Sequence, residues 1–132
     1  MFSAVIVVAV GSSVFTIFIF PFRSISTPRK VVGGHSVAII TALAILGLGG
    51  LFGVNFTDTD LGFMGNMGAA LSVGISALIM VATNTEHPPA AGTAFGLVIH
   101  PFSLSAIVFI ISSVIILSVI KHALRSKLID LV

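Results

Sequence analysis

The sequence contains no cysteine, no tryptophan and no tyrosine, and only 8% of its 132 residues are charged. Without cysteine there is no disulfide and no thiolate metal site, and the redox compartment is left open. Without tryptophan or tyrosine the usual aromatic belt at a membrane surface is missing, and the 11 phenylalanines lack its polar half. Soluble domains carry about 25% charged residues, so the shortage of charge argues against a soluble fold. What fills the chain instead is apolar: 57% hydrophobic residues and a mean hydropathy of +1.24. The net charge of +2 belongs to short flanking loops, so it is no argument for nucleic-acid binding.

The few charges are clustered. Residues 1–22, 31–57, 61–85 and 88–120 contain no Asp, Glu, Lys or Arg. A spanning helix needs roughly 20 apolar residues, so each of the first three gaps holds one span, while the fourth is too long for one and too short for two. The reading is an all-α, polytopic transmembrane bundle with short broken helices. It is one domain over residues 1–132, with segments near 1–20, 33–54, 61–83, 88–100 and 102–120. Met1 to Val10 reads as mature helix rather than signal peptide, since it has no basic lead and no cleavage pattern. In the third segment, Ala70/Gly74 and Ser72/Ser76 give the small-xxx-small spacing by which helices approach in lipid.

Charge orders these segments across the bilayer. Basic loops favour the cytoplasm, which places the 21–32 loop, with Arg23, Arg29 and Lys30, inside and Asp58 and Asp60 outside. The C-terminal Lys121, Arg125 and Lys127 also lie inside only if the Pro88–Pro101 piece crosses the membrane. Those 14 residues reach about 21 Å as helix, short of a bilayer core of about 30 Å. The expectation is an integral protein of a prokaryotic inner membrane, with a short crossing helix and a cytoplasmic C-terminus.

The segment Glu86-His87-Pro88-Pro89 puts charge, imidazole and paired prolines where lipid makes them expensive. Gly11-Ser12-Ser13, a short apolar run and Pro21 echo Gly92-Thr93, a short apolar run and Pro101. In the topology above the two run in opposite directions, as in an inverted repeat whose broken helices meet at a substrate site. Chance alignment of small residues is the competing explanation.

Three motifs carry a family resemblance. Pro28-Arg29-Lys30-Val31-Val32-Gly33-Gly34-His35 resembles the Pro-Arg-x-x-x-Gly-Gly-His signature of the HPP family of integral membrane proteins. Thr85-Glu86-His87-Pro88-Pro89 with Gly92-Thr93-Ala94 resembles the motif that names the family, and Gly11-Ser12-Ser13 with Pro21 is similar to its Gly-Ala-Ser segment. The motifs come in family order and cover nearly the whole chain. The resemblance implies a small membrane protein of the cell membrane or plastid envelope. It also implies a link to nitrite transport, which plant and cyanobacterial members show. Members elsewhere carry CBS domains, absent from this sequence. Family members carry a full helix ahead of the Gly-Ser segment, where this sequence has Met1 to Val10.

The residues suggest anion chemistry. Prolines at 88 and 89 suit the first turn of a helix, which would leave the amides of Ala90, Ala91, Gly92 and Thr93 as donors at the positive end of its dipole. Gly11, Ser12 and Ser13 offer the same from the other short helix. His87 suits donation to an anion or proton transfer, with Glu86 orienting it or carrying the proton; His35, after Gly33-Gly34, stands at the mouth of the second helix. Arg29 would guide an anion with a two-pronged guanidinium. Each has a plainer alternative: helix break, packing, capping or topology signal. His100 and His122 read as interfacial, and Lys121, Arg125 and Lys127 as a tail meeting anionic lipid. No nucleophile–base set or metal-ligand cluster is apparent, so neither an enzyme nor a cofactor or metal site is expected. The expected function is transport of a small inorganic anion, nitrite by resemblance, coupled to protons through His87 and Glu86 in a homo-oligomer within membrane lipid. A passive channel and a non-transporting scaffold or sensory anchor are the alternatives.

Overall fold

A computed structural model describes residues 4–57 and 62–129. Among them are five α-helices: α1 (Ala4–Ile19), α2 (Pro28–Leu51), α3 (Phe63–Thr83), α4 (Ala90–Ile99) and α5 (Leu104–Leu124). A single 3₁₀ turn, Ser24–Ser26, lies between α1 and α2. Helices α2, α3 and α5 are long and apolar enough to cross a membrane; α1 and α4 are shorter apolar helices. The protein is an all-helical integral membrane protein. Asp58 and Asp60, expected to mark the opposite side, lie outside the described residues.

Local chemistry sets the helix limits. Helix α2 starts at Pro28, five residues before the expected 33, because proline suits a position whose N–H has no intrahelical partner. The amides of Lys30 and Val31 turn back onto the Thr27 carbonyl, so Arg29 and Lys30 stand on the helix rather than in a loop. Its far end closes with Gly53 at φ +70 and the Val54 amide on the Gly49 carbonyl at 2.8 Å, a left-handed cap that glycine supplies without strain. Helix α3 ends the same way with Asn84 at φ 53 and the Thr85 amide on the Met80 carbonyl at 2.9 Å. Asparagine is among the few side chains that enter that region readily. This cap turns residues 85–89 sideways across α2. Helix α5 begins on Ser103, whose hydroxyl accepts from the Ala106 amide. It runs four residues past the expected 120, carrying Lys121 and His122 in its last turn, where the dipole favours cations.

Helix α4 is the centre of the bundle. It packs on α1, α2 and α3, and its ten residues reach only about 15 Å. Against α1 it runs antiparallel: a Cβ at Gly92 would meet Ala9, and one at Gly96 would meet Ile6 and Val5. Rising along α4 therefore means descending along α1. The echoing segments thus run in opposite directions and meet only near their starts, since α4 passes along Val5 to Ala9, ahead of Gly11, and α1 is unbroken through Gly11-Ser12-Ser13, so these residues start no helix. On α3, Ser72 and Ser76 face inward with Gly68 and Ala69, whereas Ala70 and Gly74 face out. Only one of the two small-residue spacings packs inside the chain.

Candidate functional site

Two sequence signatures meet in space. The Thr85–His87 strap crosses α2 where Gly33 and Gly34 leave its backbone bare. A Cβ at Gly33 would sit 2.7 Å from Thr85 Cγ2, and one at Gly34 would sit 2.8 Å from His87 Cβ and 2.9 Å from the Thr85 carbonyl. The glycine pair is therefore the seat of His87. His35, the next residue, turns toward the same place from nearly two turns inside α2, not from its mouth.

Four side chains from four parts of the chain then form one buried hydrogen-bonded line. His87 Nδ1 lies 2.9 Å from the Ile25 carbonyl, and His87 Nε2 lies 3.0 Å from Ser13 Oγ. Ser13 Oγ is 2.9 Å from His35 Nε2, and His35 Nδ1 is 2.8 Å from Thr93 Oγ1. All four side chains are at most 1% exposed. A carbonyl only accepts, so His87 Nδ1–H donates to Ile25, and the Nε2 of a neutral ring must accept. The Ser13 hydroxyl then donates to His87, His35 Nε2–H donates to Ser13, and the Thr93 hydroxyl donates to His35 Nδ1. Every atom of the line is satisfied, as burial requires.

Ser13 has a second acceptor, the Ala9 carbonyl at 3.2 Å. When His87 carries a second proton, its Nε2–H donates to Ser13 Oγ, which accepts from both imidazoles and turns its own proton to Ala9. The site accommodates a proton by rotating one hydroxyl. With the two rings 5.4 Å apart, a proton on each would place like charges in contact at low dielectric, so the pair holds at most one.

The other expected residues stand elsewhere. Glu86 does not reach His87; its carboxylate binds Lys30 Nζ at 2.6 Å, and that bond chiefly holds the carboxyl below its ordinary value of 4.5. Arg29 is exposed and donates to the Thr83 carbonyl at 3.2 Å. Gly11 and Ser12 are exposed, away from the line. Pro88 and Pro89 form the turn into α4. The amides of Ala90, Ala91 and Gly92 are not open donors: they bond the carbonyls of His87, Pro88 and Pro89 at 2.9, 3.1 and 3.1 Å. Gly92 serves the close approach of Ala9. An anion site made of two opposed helix starts is therefore overturned: one start does not exist and the other has closed its amides. The residues that sequence reasoning left unconnected are Ser13 as a bridge between histidines, the Ile25 carbonyl and the Lys30–Glu86 pair. The glycine pair beside His35 was the available signal.

On its α3 side the buried His87 borders an apolar cavity of about 180 Å³ with Ser76, Met80, Pro88, Ala91 and Glu86. Lys30 with Glu86, Lys121 with the Ser26 carbonyl, and Arg29 with the Thr83 carbonyl tie five segments together at one end of the bundle. That the basic residues of α2 and α5 gather at one end is what the charge argument required.

These features define a polytopic α-helical membrane protein with a buried histidine pair at one end of its bundle. The chain matches the family described as HPP, transmembrane region, over residues 2–126 and belongs to it. No curated protein and no solved structure matches it.

Proposed function

We propose that this protein moves a small inorganic anion across a membrane together with a proton, nitrite being the anion that the family resemblance implies. The observation that carries the reading is the Ser13 hydroxyl between two histidines, with the Ala9 carbonyl of its own helix as a second acceptor. Polar groups inside a membrane protein are expensive and mark ion or proton paths. This set accepts a proton at His87 without leaving any member unpaired. The anion approaches from the cavity shared with Ser76 and Met80 and is neutralised at His87, so charge need not cross the apolar core alone. Glu86, tied to Lys30, stays ionised and is a positioning group in this scheme; Arg29 gathers anions at the surface. The basic end faces the cytoplasm of a prokaryotic cell by the positive-inside rule, and several copies assemble, because one short chain encloses little volume.

Reconstituted protein should carry nitrite into liposomes, faster when a pH gradient drives protons the same way. His87→Ala should abolish that acceleration. Flux of nitrite, nitrate, formate and chloride no greater than in empty liposomes would end the transport reading and leave a scaffold, which a fully satisfied polar line would equally brace. Flux indifferent to pH, unaltered by His87→Ala, would leave a passive channel.

A further inference from the structure

A second site lies at the same end of the bundle, outside the histidine line. The loop after α1 and the last turns of α5 enclose a cavity of about 240 Å³, bordered by Arg23 from the loop and by Lys121, His122 and Arg125 from α5. Phe22 and Leu128 supply apolar wall. Lys121 also donates to the Ser26 carbonyl, which fixes the end of α5 to the loop and so holds the two sides of the cavity in register.

We infer that this cavity binds a phosphate group, with the guanidinium groups of Arg23 and Arg125 as its principal ligands. Three features point there. Guanidinium groups meet phosphate oxygens two at a time, and here they come from two separate elements, so the arrangement is more than the charged tail of one helix. The cavity is just under the size of about 300 Å³ at which pockets for drug-sized ligands begin, which suits a headgroup rather than a folded partner. Its level is the end of an apolar helix of 21 residues, where phospholipid phosphates lie, and Phe22 is 52% exposed beside it. The phosphate of an anionic lipid and a free phosphate ion present the same oxygens to these ligands.

Native mass spectrometry of the full chain, released from nanodiscs, tests this. With phosphatidylglycerol discs, one or more lipids should remain bound, and Arg23→Gln or Arg125→Gln should each lower retention roughly fivefold. Lys127, which does not border the cavity, is the control: Lys127→Gln should leave retention unchanged. If anionic lipid is the source, phosphatidylcholine, whose choline cation offsets its phosphate, is retained less than phosphatidylglycerol, and added inorganic phosphate contributes no bound ion. If free phosphate is the source, phosphate added to phosphatidylcholine discs appears as a bound ion that the arginine variants lose. Equal losses from Lys127→Gln and Arg125→Gln would show general surface attraction and overturn the site. So would retention that is the same in all variants. Arg125→Lys, which keeps the charge but not the paired donors, should retain less than the parent; retention equal to the parent would refute the assigned ligands.

Discussion

The same helices build two unlike ends. Toward the 20–27 loop, α1, α2 and α4 meet through Ser13, His35 and Thr93, joined to His87. Away from it they meet through Ile6 and Val10, Ile39, Ala42 and Ile45, and Leu97 and Val98, with Ile110 of α5. Each helix thus changes from aliphatic to polar along one inward face, and a second, smaller aliphatic cluster of Ile17, Val31 and Val114 lies nearer the loop. At the apolar end, helix contact rests on packing, and the Phe56 ring fills the space left by Gly49 and Gly68. At the polar end it rests on hydrogen bonds that admit more than one proton arrangement. One end gives shape, and the other gives chemistry.

Substitutions should divide along that line. The largest stability loss is expected at the apolar end: Ile110→Ala, at a side chain with no exposure, should cost about 2–4 kcal/mol in detergent unfolding while leaving the pH dependence of flux intact. Gly34→Ala should cost about 1–3 kcal/mol, because its Cβ meets the Thr85 carbonyl as well as His87. It should also remove proton-driven flux by displacing the strap. Gly47→Ala, at a helix position with nothing within 4 Å of the new Cβ, should be neutral or slightly stabilising. Ser13→Ala leaves two imidazole nitrogens without their partner at a cost of about 1–3 kcal/mol, and it should flatten the pH profile of flux where the exposed Ser12→Ala does not. A Gly34→Ala protein with parental flux would break the division between the two ends.

The sequence announced the apolar end plainly, since uncharged runs of span length have few other uses. It also announced a short apolar helix between two long ones, and the basic residues of α2 and α5 do meet at one end of the bundle. The polar end was legible in its parts but not in its wiring. Gly33-Gly34-His35 and Glu86-His87-Pro88-Pro89 stand 50 residues apart in sequence, and nothing in either indicates that the glycines seat the histidine. Ser12 and Ser13 are indistinguishable until helix rotation turns one inward. The expected anion cradle failed for a general reason: amides at a helix start are donors only until a preceding turn supplies carbonyls, and Pro88-Pro89 makes that turn.

The Lys30–Glu86 pair separates the two ends in a subtler way, because it closes the polar end at the surface without belonging to the histidine line. Its carboxyl is held below 4.5 chiefly by the Lys30 hydrogen bond, with help from its own backbone amide. A depressed folded value means the pair contributes fully above the unfolded value and loses its contribution as pH falls through the folded one. Stability should therefore decline below about pH 4.5, where the unfolded chain takes up the proton first. Lys30→Gln should make that decline shallower while leaving the curve above it parallel to the parent. The effect should be small, since Glu86 is 37% exposed and solvent screens the pair. Unfolding midpoints measured from about pH 6 to about pH 3 in both proteins would reveal it. Identical slopes would mean that Lys30 does not hold the strap. The seating of His87 would then rest on Gly33, Gly34 and the Ile25 carbonyl alone.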